Sequence, residues 1–539
     1  MDRLPIPSAW QIAVSVAVAG SVLIALWLDR DDRRWRDAMR SRLLFGVPWG
    51  TIVVCLLVLA IYLFVQDGWS RWDQPVFIPF VNWSYLYPTG VVLGSFTHAS
   101  NAHLVGNLTA ALVLGTLAEY AYGHYPPGDR RSLASPAVRA FVVFPGAVLA
   151  VGLLTSVFAW GAVIGFSGVV FAFAGFAVIR FPLLTVIALA VRSAIREVGV
   201  AIVDPVVVTD VAPTVTPPAW AGVAVQGHLL GFLLGAFLAT LMIYHRSEVA
   251  PVDPFRVWTG VFVVGVVLAM WAIGTAPGED RYVLYRGAGM AMIAILAVVL
   301  AWAGTARPRR RLGVSDRQLA IVVLAIPLLV MAFVAVPLNA MTVADDPTAP
   351  ASVTVGDYEV GYTQNTTVGL APLIENPVAD GFAARHTDGV IVTSSDRHLW
   401  TRASTSGDLA VDRTLTVRVG GVTWNEDVSV AREGWVPDGA DAVYRVTIET
   451  PDERAVFAAD PQPADVTVDG HDVTIEANET SFLVVVTTPA DEQFRGTVPT
   501  ADDTAAIGGL TIERVDDRLV AVGEHSRVTI AERERPPGR

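Results

Sequence analysis

The chain contains no lysine, so all 38 of its basic residues are arginine, and it has a single cysteine, Cys55. One cysteine excludes an internal disulfide framework, and the redox compartment cannot be inferred from it. Charge is also scarce, since only 17% of the residues are charged and 53% are hydrophobic. This balance indicates a chain with several membrane-spanning segments.

The few charges are unevenly divided along the chain. From Asn339 onward there are 34 Asp and Glu residues against 15 Arg, whereas the whole chain has a net charge of −13. The first part is therefore basic and the last part strongly acidic, which indicates a membrane domain followed by an acidic soluble domain. An acid-rich soluble part without lysine is typical of a high-salt organism with a GC-rich genome; codon bias alone is the alternative.

Ten stretches are apolar enough to cross a bilayer, since one span needs about 20 such residues. They lie near 8–28, 44–65, 102–122, 138–159, 162–180, 182–203, 220–244, 256–275, 283–304 and 318–338. Arginines are concentrated in alternate loops, so the positive-inside rule predicts a multi-pass protein of the cell membrane with both termini outside. Arg192 and Arg196 interrupt one span on a single face. Either that helix lines a hydrated cavity, or its first part lies along the cytoplasmic surface.

Beyond Asn339 the hydrophobic pattern changes to a period of two. Segments that alternate or run apolar between turn residues lie at 352–356, 414–419, 444–448, 473–477 and 482–488, and Asp469-Gly470 is a hairpin signal. This predicts a C-terminal all-β sandwich, Ig-like in topology. The predicted domains are an additional N-terminal helix with a basic loop (1–43), a six-helix core (44–245), three additional helices (246–339) and an acidic extracellular β-sandwich (340–539).

Three polar clusters lie in separate apolar segments of the six-helix core. They are Ser167 between Gly165 and Gly168; His98, His103 and Asn107; and His228 followed by Gly231 and Gly235. Histidine and asparagine are costly in a bilayer. At about 1.5 Å per residue from the cytoplasmic charges, Ser167, Asn107 and His228 lie roughly 20, 25 and 27 Å up their helices. All three fall in the outer third of the membrane, which predicts one shared cavity opening outward.

A serine beside a histidine is the minimal nucleophilic pair, because the imidazole accepts the proton of the hydroxyl. Glu119 lies 12 residues from Asn107 on the same helix. That separation, about 18 Å, is too large for a triad, so a dyad is predicted. His228, Gly231 and Gly235 share one helical face that fits a small face formed by Gly168, Ala172 and Gly175.

Asn107 and His103 project from one helix face and both can donate hydrogen bonds to an oxyanion, together with the Ser167 N–H. Losing one such donor typically costs about 3–4 kcal/mol of transition-state stabilisation. His98 precedes that helix and is expected to brace the aromatic loop 66–97. The three histidines could instead bind a metal, but no acid or cysteine stands near them, so neither a metal nor another cofactor is predicted.

In order and spacing these motifs resemble the rhomboid family of intramembrane serine proteases. The matching runs are His98-x4-His103-x3-Asn107, Gly165-x-Ser167-Gly168 with Phe171 four residues after the serine, Gly227-His228-x2-Gly231-x3-Gly235, and Gly115-x3-Glu119-x3-Gly123. The resemblance covers about 44–245. It implies Ser167 as nucleophile, His228 as general base, His103 and Asn107 as oxyanion donors, and Phe171 stacked on His228.

The resemblance also implies an endopeptidase that cleaves membrane-anchored proteins in or near a transmembrane helix. The predicted partners are such substrates, the lipid bilayer and an extracellular partner of the C-terminal domain; nucleic acid is not an expected partner. Two departures are that residue 227 is Gly where Ala is common, and that the family's Trp-Arg pair is only loosely matched by Trp69-Ser-Arg71-Trp72. The alternatives are a catalytically silent relative that binds membrane clients, and a transporter or channel with an exterior sensory domain.

Overall fold

A computed structural model describes residues 9–28, 34–125, 135–203, 224–246, 252–275, 283–307, 310–311, 314–343, 349–372, 384–422, 424–460, 466–501 and 503–534. The chain divides into a helical unit that ends at Met341 and a β-rich unit that begins at Thr342. The connection between the predicted spans 182–203 and 220–244 lies outside the described residues.

The helical unit contains every segment that was predicted to span a membrane. Its helices are α1 (Ala9–Leu28), α2 (Arg34–Arg42), α3 (Trp49–Ala60, continued by a π turn Ile61–Val65), α4 (Pro88–Leu93), α5 (Asn101–Tyr122), α6 (Pro136–Val138, joined by a π turn Arg139–Val143 to α7), α7 (Phe144–Val157), α8 (Ser167–Arg180), α9 (Pro182–Val203), α10 (Val225–His245), α11 (Pro254–Val267), α12 (Arg286–Thr305) and α13 (Asp316–Asn339). Two short 3-10 turns are Leu44–Gly46 and Ile78–Phe80.

Five of these helices are long and apolar enough to cross a membrane, judged by length and composition among the described residues. They are Asn101–Tyr122, Pro136–Val157, Val225–His245, Arg286–Thr305 and Asp316–Asn339. Four shorter apolar helices are Ala9–Ser21, Trp49–Val65, Ser167–Arg180 and Pro254–Val267. The ten-span count therefore stays a prediction, while a multi-pass membrane protein is supported.

In two predicted spans, a residue with a positive φ lies next to the point where the helix stops short of the span. The segment 162–180 becomes helical only at Ser167, because Gly165 has a φ of +116°, which a continuing helix does not allow. The segment 256–275 stops being helical at Val267, and Ala269 just beyond it has a φ of +54°. By contrast, the segment interrupted by arginines is one continuous 22-residue helix, α9, with Arg196 exposed on its surface.

Helices α3 and α5 are joined by a buried carboxylate. Glu119 on α5 accepts hydrogen bonds from the backbone N–H groups of Gly50 and Thr51, at 2.9 and 2.7 Å, and from the Thr51 hydroxyl at 2.8 Å. These are the first amides of α3, which lack intrahelical acceptors. Since Pro48 at the helix start provides no side-chain cap, Glu119 takes that place.

Arginines collect at the carboxyl end of α5. Arg42 donates to the carbonyls of Tyr120 and Ala121, and Arg246 donates to the carbonyl of Tyr122 at 2.6 Å. Arg139 reaches the carbonyl of the following residue, Gly123. The last carbonyls of a helix carry the negative end of its dipole, so these cations satisfy both the hydrogen bonds and the charge.

Helices α8 and α10 approach each other through glycine. A Cβ atom at position 231 would overlap the carbonyl oxygen of Gly168, and one at position 235 would overlap that of Ala172. One turn further, a Cβ at position 175 would overlap the carbonyl oxygen of Phe232. The two small faces predicted from the sequence therefore face each other, with the backbones in direct contact.

Two small two-stranded ribbons lie between helices. One pairs β1 (Gly274–Thr275) with β2 (Val283–Leu284), and the other pairs β3 (Arg310–Arg311) with β4 (Val314–Ser315). The remaining strands are β5 (Met341–Val343), β6 (Ala351–Val355), β7 (Tyr358–Pro372), β8 (Ala384–Ser394), β9 (Leu399–Thr405), β10 (Thr414–Gly420), β11 (Asn425–Pro437), β12 (Val443–Glu449), β13 (Arg454–Ala458), β14 (Val466–Val468), β15 (His471–Ala477), β16 (Phe482–Thr487), β17 (Gln493–Thr497), β18 (Thr504–Ile507), β19 (Leu510–Val515), β20 (Arg518–Val522) and β21 (Arg527–Arg533). A short helix, α14 (Ser406–Asp412), follows β9.

In the β-rich unit the described strands form three larger sheets. One has the order β13-β12-β11-β21-β20-β19-β18 with β10 beside β11, a second is β14-β15-β16-β17, and the third is β5-β7-β8-β9 with β6 beside β7. The five β segments predicted from the sequence all lie on strands. The predicted hairpin is formed by Asp469 and Gly470, both with positive φ, between β14 and β15. A β-rich C-terminal region is thus supported, and its Ig-like topology stays a prediction.

Candidate active site

Ser167 and His228 meet between α8 and α10. Nε2 of His228 lies 2.9 Å from Oγ of Ser167, at hydrogen-bond distance. Ser167 is the first residue of α8, and His228 lies in the first turn of α10, one turn before Gly231. Because Gly231 packs on the backbone of Gly168, next to Ser167, the glycine contact sets the spacing of the serine and the histidine.

The imidazole of His228 is oriented by an aromatic ring. Phe171 lies one turn after Ser167, and its ring is stacked on the imidazole, with centroids 4.1 Å apart and planes 8° apart. Among the described residues, no carboxylate oxygen is hydrogen-bonded to His228. Glu119, the nearest acid considered from the sequence, is engaged at the other end of α5 with the start of α3 and with His124 at 2.8 Å.

His103 and Asn107 lie against Gly165. The N-cap Ser100 accepts a hydrogen bond from the backbone N–H of His103, so α5 begins at Asn101 and both side chains fall on its first two turns. A Cβ atom at position 165 would lie 2.7 Å from Nε2 of His103 and 3.5 Å from Nδ2 of Asn107. Glycine is therefore required at position 165 both by space and by its φ of +116°.

Asn107 presents an unused hydrogen-bond donor close to Gly165. Its side chain is 9% exposed, and its Nδ2 has no hydrogen-bond partner among the described residues. Buried amide donors are normally paired, so an unpaired one beside a candidate nucleophile fits a group that binds only when substrate is present. The first amides of α8, beginning at Ser167, lack intrahelical acceptors and carry the positive end of the helix dipole.

His98 connects the aromatic loop to the segment before Ser167. Its backbone N–H donates to Oε1 of Gln66 at 2.8 Å, and its carbonyl accepts from Nε2 of Gln66 at 2.7 Å. Nε2 of His98 accepts a hydrogen bond from the backbone N–H of Phe166 at 3.4 Å. The rings of His98 and His103 lie edge to face, with their centroids 5.0 Å apart. The expected bracing role therefore extends from the loop to the residue that precedes the serine.

Three further amide side chains hold the segment 157–166, and none of them is among the residues predicted for the site. Asn82 donates to the carbonyl of Ser156 and pairs through its backbone with Val163. Gln226 bonds Phe158 and Trp160, and Asn339 bonds the carbonyls of Val157 and Ala159. For Gln226 and Asn339 the sequence carries a signal, since each amide stands in or beside an apolar span, as Asn107 does, whereas Asn82 lies within the aromatic loop.

None of the described residues forms a group of three His, Cys, Asp or Glu side chains that could hold a metal ion. His98 and His103 lie together, while His228 faces Ser167 and Phe171 from another helix. The structure thus places Ser167 and His228 in direct contact, and it places His103 and Asn107 against Gly165, two residues before Ser167.

An apolar helical bundle with a serine–histidine hydrogen bond in its interior defines a multi-pass membrane protein with a candidate hydrolytic site. The family model described as Rhomboid domain matches residues 88–245, which contain α4 to α10 and every residue of the candidate site. Residues 88–245 are thus a Rhomboid domain, and the recognition made from the motifs is confirmed for this part of the chain. No curated protein and no solved structure matches the chain.

Proposed function

We propose that the chain is a serine endopeptidase that cleaves membrane-anchored proteins in or near their transmembrane helix, with Ser167 and His228 as a catalytic dyad. The observation that carries the proposal is the 2.9 Å distance between Ser167 Oγ and His228 Nε2, from two helices whose backbones are in contact. The Rhomboid domain at 88–245 supports the reaction class, and the family includes inactive members as well as proteases.

In the first step, Ser167 Oγ attacks the scissile carbonyl carbon while His228 Nε2 takes the hydroxyl proton. The carbonyl π electrons move to oxygen and form a tetrahedral oxyanion. Asn107 Nδ2, the His103 ring and the Ser167 backbone N–H are the donors for this charge. The protonated His228 then gives its proton to the leaving amine as the C–N bond breaks, which leaves an acyl-serine.

In the second step, water attacks the acyl-serine with His228 again as the base, and the ester bond breaks with return of the proton to Ser167. Because no carboxylate is hydrogen-bonded to His228 among the described residues, the stacked ring of Phe171 holds the imidazole in place. The dyad thus depends on packing for the orientation that a triad obtains from an acid.

The test compares cleavage of a fluorescent single-span substrate by purified wild-type chain, Ser167→Ala and His228→Ala. Each substitution is expected to lower kcat by about 10⁴-fold or more. Ser193→Ala on α9 and His245→Ala at the opposite end of α10 are matched controls, since both side chains are exposed and distant from the dyad. Folding of every variant is checked by thermal unfolding in detergent.

The proposal would be overturned if the wild-type chain cleaved no membrane-anchored substrate and its Ser167 did not react with a fluorophosphonate. The catalytically silent alternative would then be favoured, and binding of single-span proteins would be its measurement. Equal activity of wild type and Ser167→Ala would exclude the dyad and leave the family assignment intact.

We also propose that the chain lies in the cell membrane with both termini outside, with domains at 1–43, 44–245, 246–339 and 340–539. The arginines at the carboxyl end of α5 support a cytoplasmic position for that end. Cys55 is buried, so a cysteine introduced at exposed Asp396 can be labelled selectively. Labelling by a membrane-impermeant maleimide in intact cells is expected; labelling only after lysis would overturn this orientation.

For the acidic β-rich region we propose a role in recruiting substrates or a partner at the outer surface. The support is its charge, 34 acidic residues against 15 Arg from Asn339 onward. Deleting 345–539 is expected to abolish cleavage of some substrates and to spare others. Unchanged cleavage of every substrate would contradict the proposal, and loss of all cleavage with unfolding of the helices would indicate a structural role instead.

A further inference from the structure

The segment that leads to Ser167 has its position set by other parts of the helical unit. Residues 158–166 connect α7 to α8 without regular helix. The backbone of Val163 pairs with Asn82, and the N–H of Gly165 donates to the carbonyl of Gly94 at 2.8 Å. Gln226, two residues before His228, accepts the backbone N–H of Trp160 at 3.0 Å. The segment is therefore tied both to the aromatic loop and to the helix that carries the histidine.

A third set of bonds comes from α13, which lies outside the Rhomboid domain match. Nδ2 of Asn339, the last residue of α13, donates to the carbonyls of Val157 and Ala159, at 3.1 and 2.7 Å. Asn339 is only 1% exposed. The indole N–H of Trp160 donates to the carbonyl of Met331 on the same helix at 2.9 Å. Two separate bonds thus fasten the start of the segment to α13.

The same asparagine also reaches the aromatic loop. Its backbone carbonyl accepts the N–H of Tyr85 at 2.8 Å, and the Tyr85 hydroxyl donates to the carbonyl of Val157 at 2.7 Å. The carbonyls at the end of α7 lack intrahelical donors, so Asn339 and Tyr85 satisfy groups that would otherwise be buried and unpaired. Asn339 therefore stands where α7, the aromatic loop and the serine segment meet.

We propose that Asn339 is a positioning residue of the active site, through which α13 completes a catalytic centre that the six-helix core does not complete alone. This inference rests on the proposed function. Without the two bonds from Nδ2, the segment 157–160 loses its fixed distance from α13, and Ser167 at the end of the segment loses its alignment with His228. Misplacement of about 1 Å at a reacting group is enough to lower the rate on the order of a hundredfold.

The experiment replaces Asn339 by Asp, which keeps the shape of the side chain and removes its N–H donors. Cleavage of a single-span substrate by full-length chain is expected to show kcat lowered on the order of tenfold to a hundredfold, with KM nearly unchanged. Labelling of Ser167 by a fluorophosphonate is expected to slow in the same ratio. Gln318→Glu is the matched control, because it makes the same amide-to-acid change at the other, exposed end of α13.

Full activity of Asn339→Asp in a chain with unchanged thermal unfolding would overturn the inference and leave the proposed function standing. An inactive wild-type chain would instead overturn the proposed function. If Asn339→Asp does not fold, Trp160→Phe tests the inference in its place, since it removes only the hydrogen bond to Met331. Slower fluorophosphonate labelling of Ser167, with KM for the substrate unchanged, would support positioning by α13. Labelling at the wild-type rate would contradict it. The inference would also be contradicted if Gln318→Glu lowered kcat as much as Asn339→Asp does. The lower rate would then come from a general disturbance of α13 and not from the bonds of Asn339.

Discussion

Gly235 and Ala172 lie backbone to backbone, so close that a Cβ atom at position 235 would overlap the carbonyl oxygen of Ala172. The contact is one turn of α10 beyond the one between Gly231 and Gly168. Together the two contacts fix the separation of α8 and α10 at the turns next to Ser167 and His228. The distance between the two reactive groups is therefore a consequence of residues that carry no chemistry themselves.

Gly235→Ala is accordingly expected to destabilise the helical unit by roughly 1–3 kcal/mol, since the added methyl group can fit only if the helices separate. Cleavage activity is expected to fall with it, because separation lengthens the Ser167–His228 hydrogen bond. Thermal unfolding in detergent and single-turnover cleavage measure the two effects. Gly146→Ala on α7 is the control, as a Cβ there meets nothing within 4 Å. Equal behaviour of the two variants would contradict this account of the contact.

Asn107→Ala is expected to lower kcat by about 10²–10³-fold, or roughly 3–4 kcal/mol, with little change in KM. The reason is that, in the proposed mechanism, the unpaired Nδ2 binds only the oxyanion of the transition state and not the bound substrate. Asn101→Ala, at the start of the same helix, removes an amide that binds Asp73 and serves as the control. A rise in KM at constant kcat would show instead that Asn107 binds the ground state.

Phe171→Ala is expected to lower kcat/KM by up to about tenfold, because a stacked aromatic contact contributes roughly 0.5–1.5 kcal/mol beyond its buried area. Phe171→Trp keeps a flat ring over His228 and should retain more of the activity than Ala. The measurement is the rate of fluorophosphonate labelling of Ser167 together with substrate cleavage. If Ser167 were labelled at the wild-type rate in both Phe171→Ala and Phe171→Trp, the ring of Phe171 would have no part in orienting the imidazole of His228.

Much of the candidate site could be predicted because its determinants are local in sequence. The spacing of His103 and Asn107 places them on one helix face, and the Gly-Ser-Gly run marks where α8 begins. The prediction that the site residues share one depth in the membrane rests on the helical rise alone and stays a prediction. The match between the two small faces is also readable, since a stripe of small residues has few other uses in a bilayer.

The rest depends on where chain segments meet, which spacing does not encode. Nothing local indicates that Asn339 would bond the end of α7, more than 170 residues earlier in the chain. Glu119 was recognised in a motif and excluded from the site, but its place at the start of α3 appears only when the helices pack. In the β-rich unit the strands were readable from their alternation, whereas their division among three sheets depends on long-range pairing such as β11 with β21.

Glu119→Gln is expected to destabilise the helical unit by roughly 3 kcal/mol or more, because its two carboxylate oxygens accept from Gly50, Thr51 and His124 inside the protein. An amide offers one acceptor and turns N–H groups toward donors. The chain that remains folded should label at Ser167 at the normal rate, since Glu119 takes no part in the chemistry. Glu197→Gln on α9, with an exposed side chain, is the control. Normal stability with slowed labelling would contradict a purely structural role.

The turn between β6 and β7 contains a carboxylate, Asp357, whose pairing with the end of β8 and the turn after it makes stability depend on pH. Asp357 accepts hydrogen bonds from Nη2 of Arg397 at 2.8 Å and from the Ser394 hydroxyl at 3.0 Å. The hydrogen bond from Arg397 is the main reason that the pKa of Asp357 lies below its ordinary value. A lowered pKa in the folded state adds stability above the unfolded pKa of about 3.9, and this contribution is lost as the pH falls through the folded pKa.

Asp357→Asn should therefore lower the free energy of unfolding most at pH 7. The difference in this free energy between the variant and wild type should shrink below about pH 4. Thermal unfolding of the β-rich region, followed by circular dichroism at pH 7, 5 and 3, measures that difference directly. Asp396→Asn is the control, since Asp396 is an exposed carboxylate next to Arg397 in the turn between β8 and β9. A difference between wild type and Asp357→Asn that stays constant from pH 7 to pH 3 would show that Arg397 does not hold a charged Asp357, because a neutral pair has no protonation to lose.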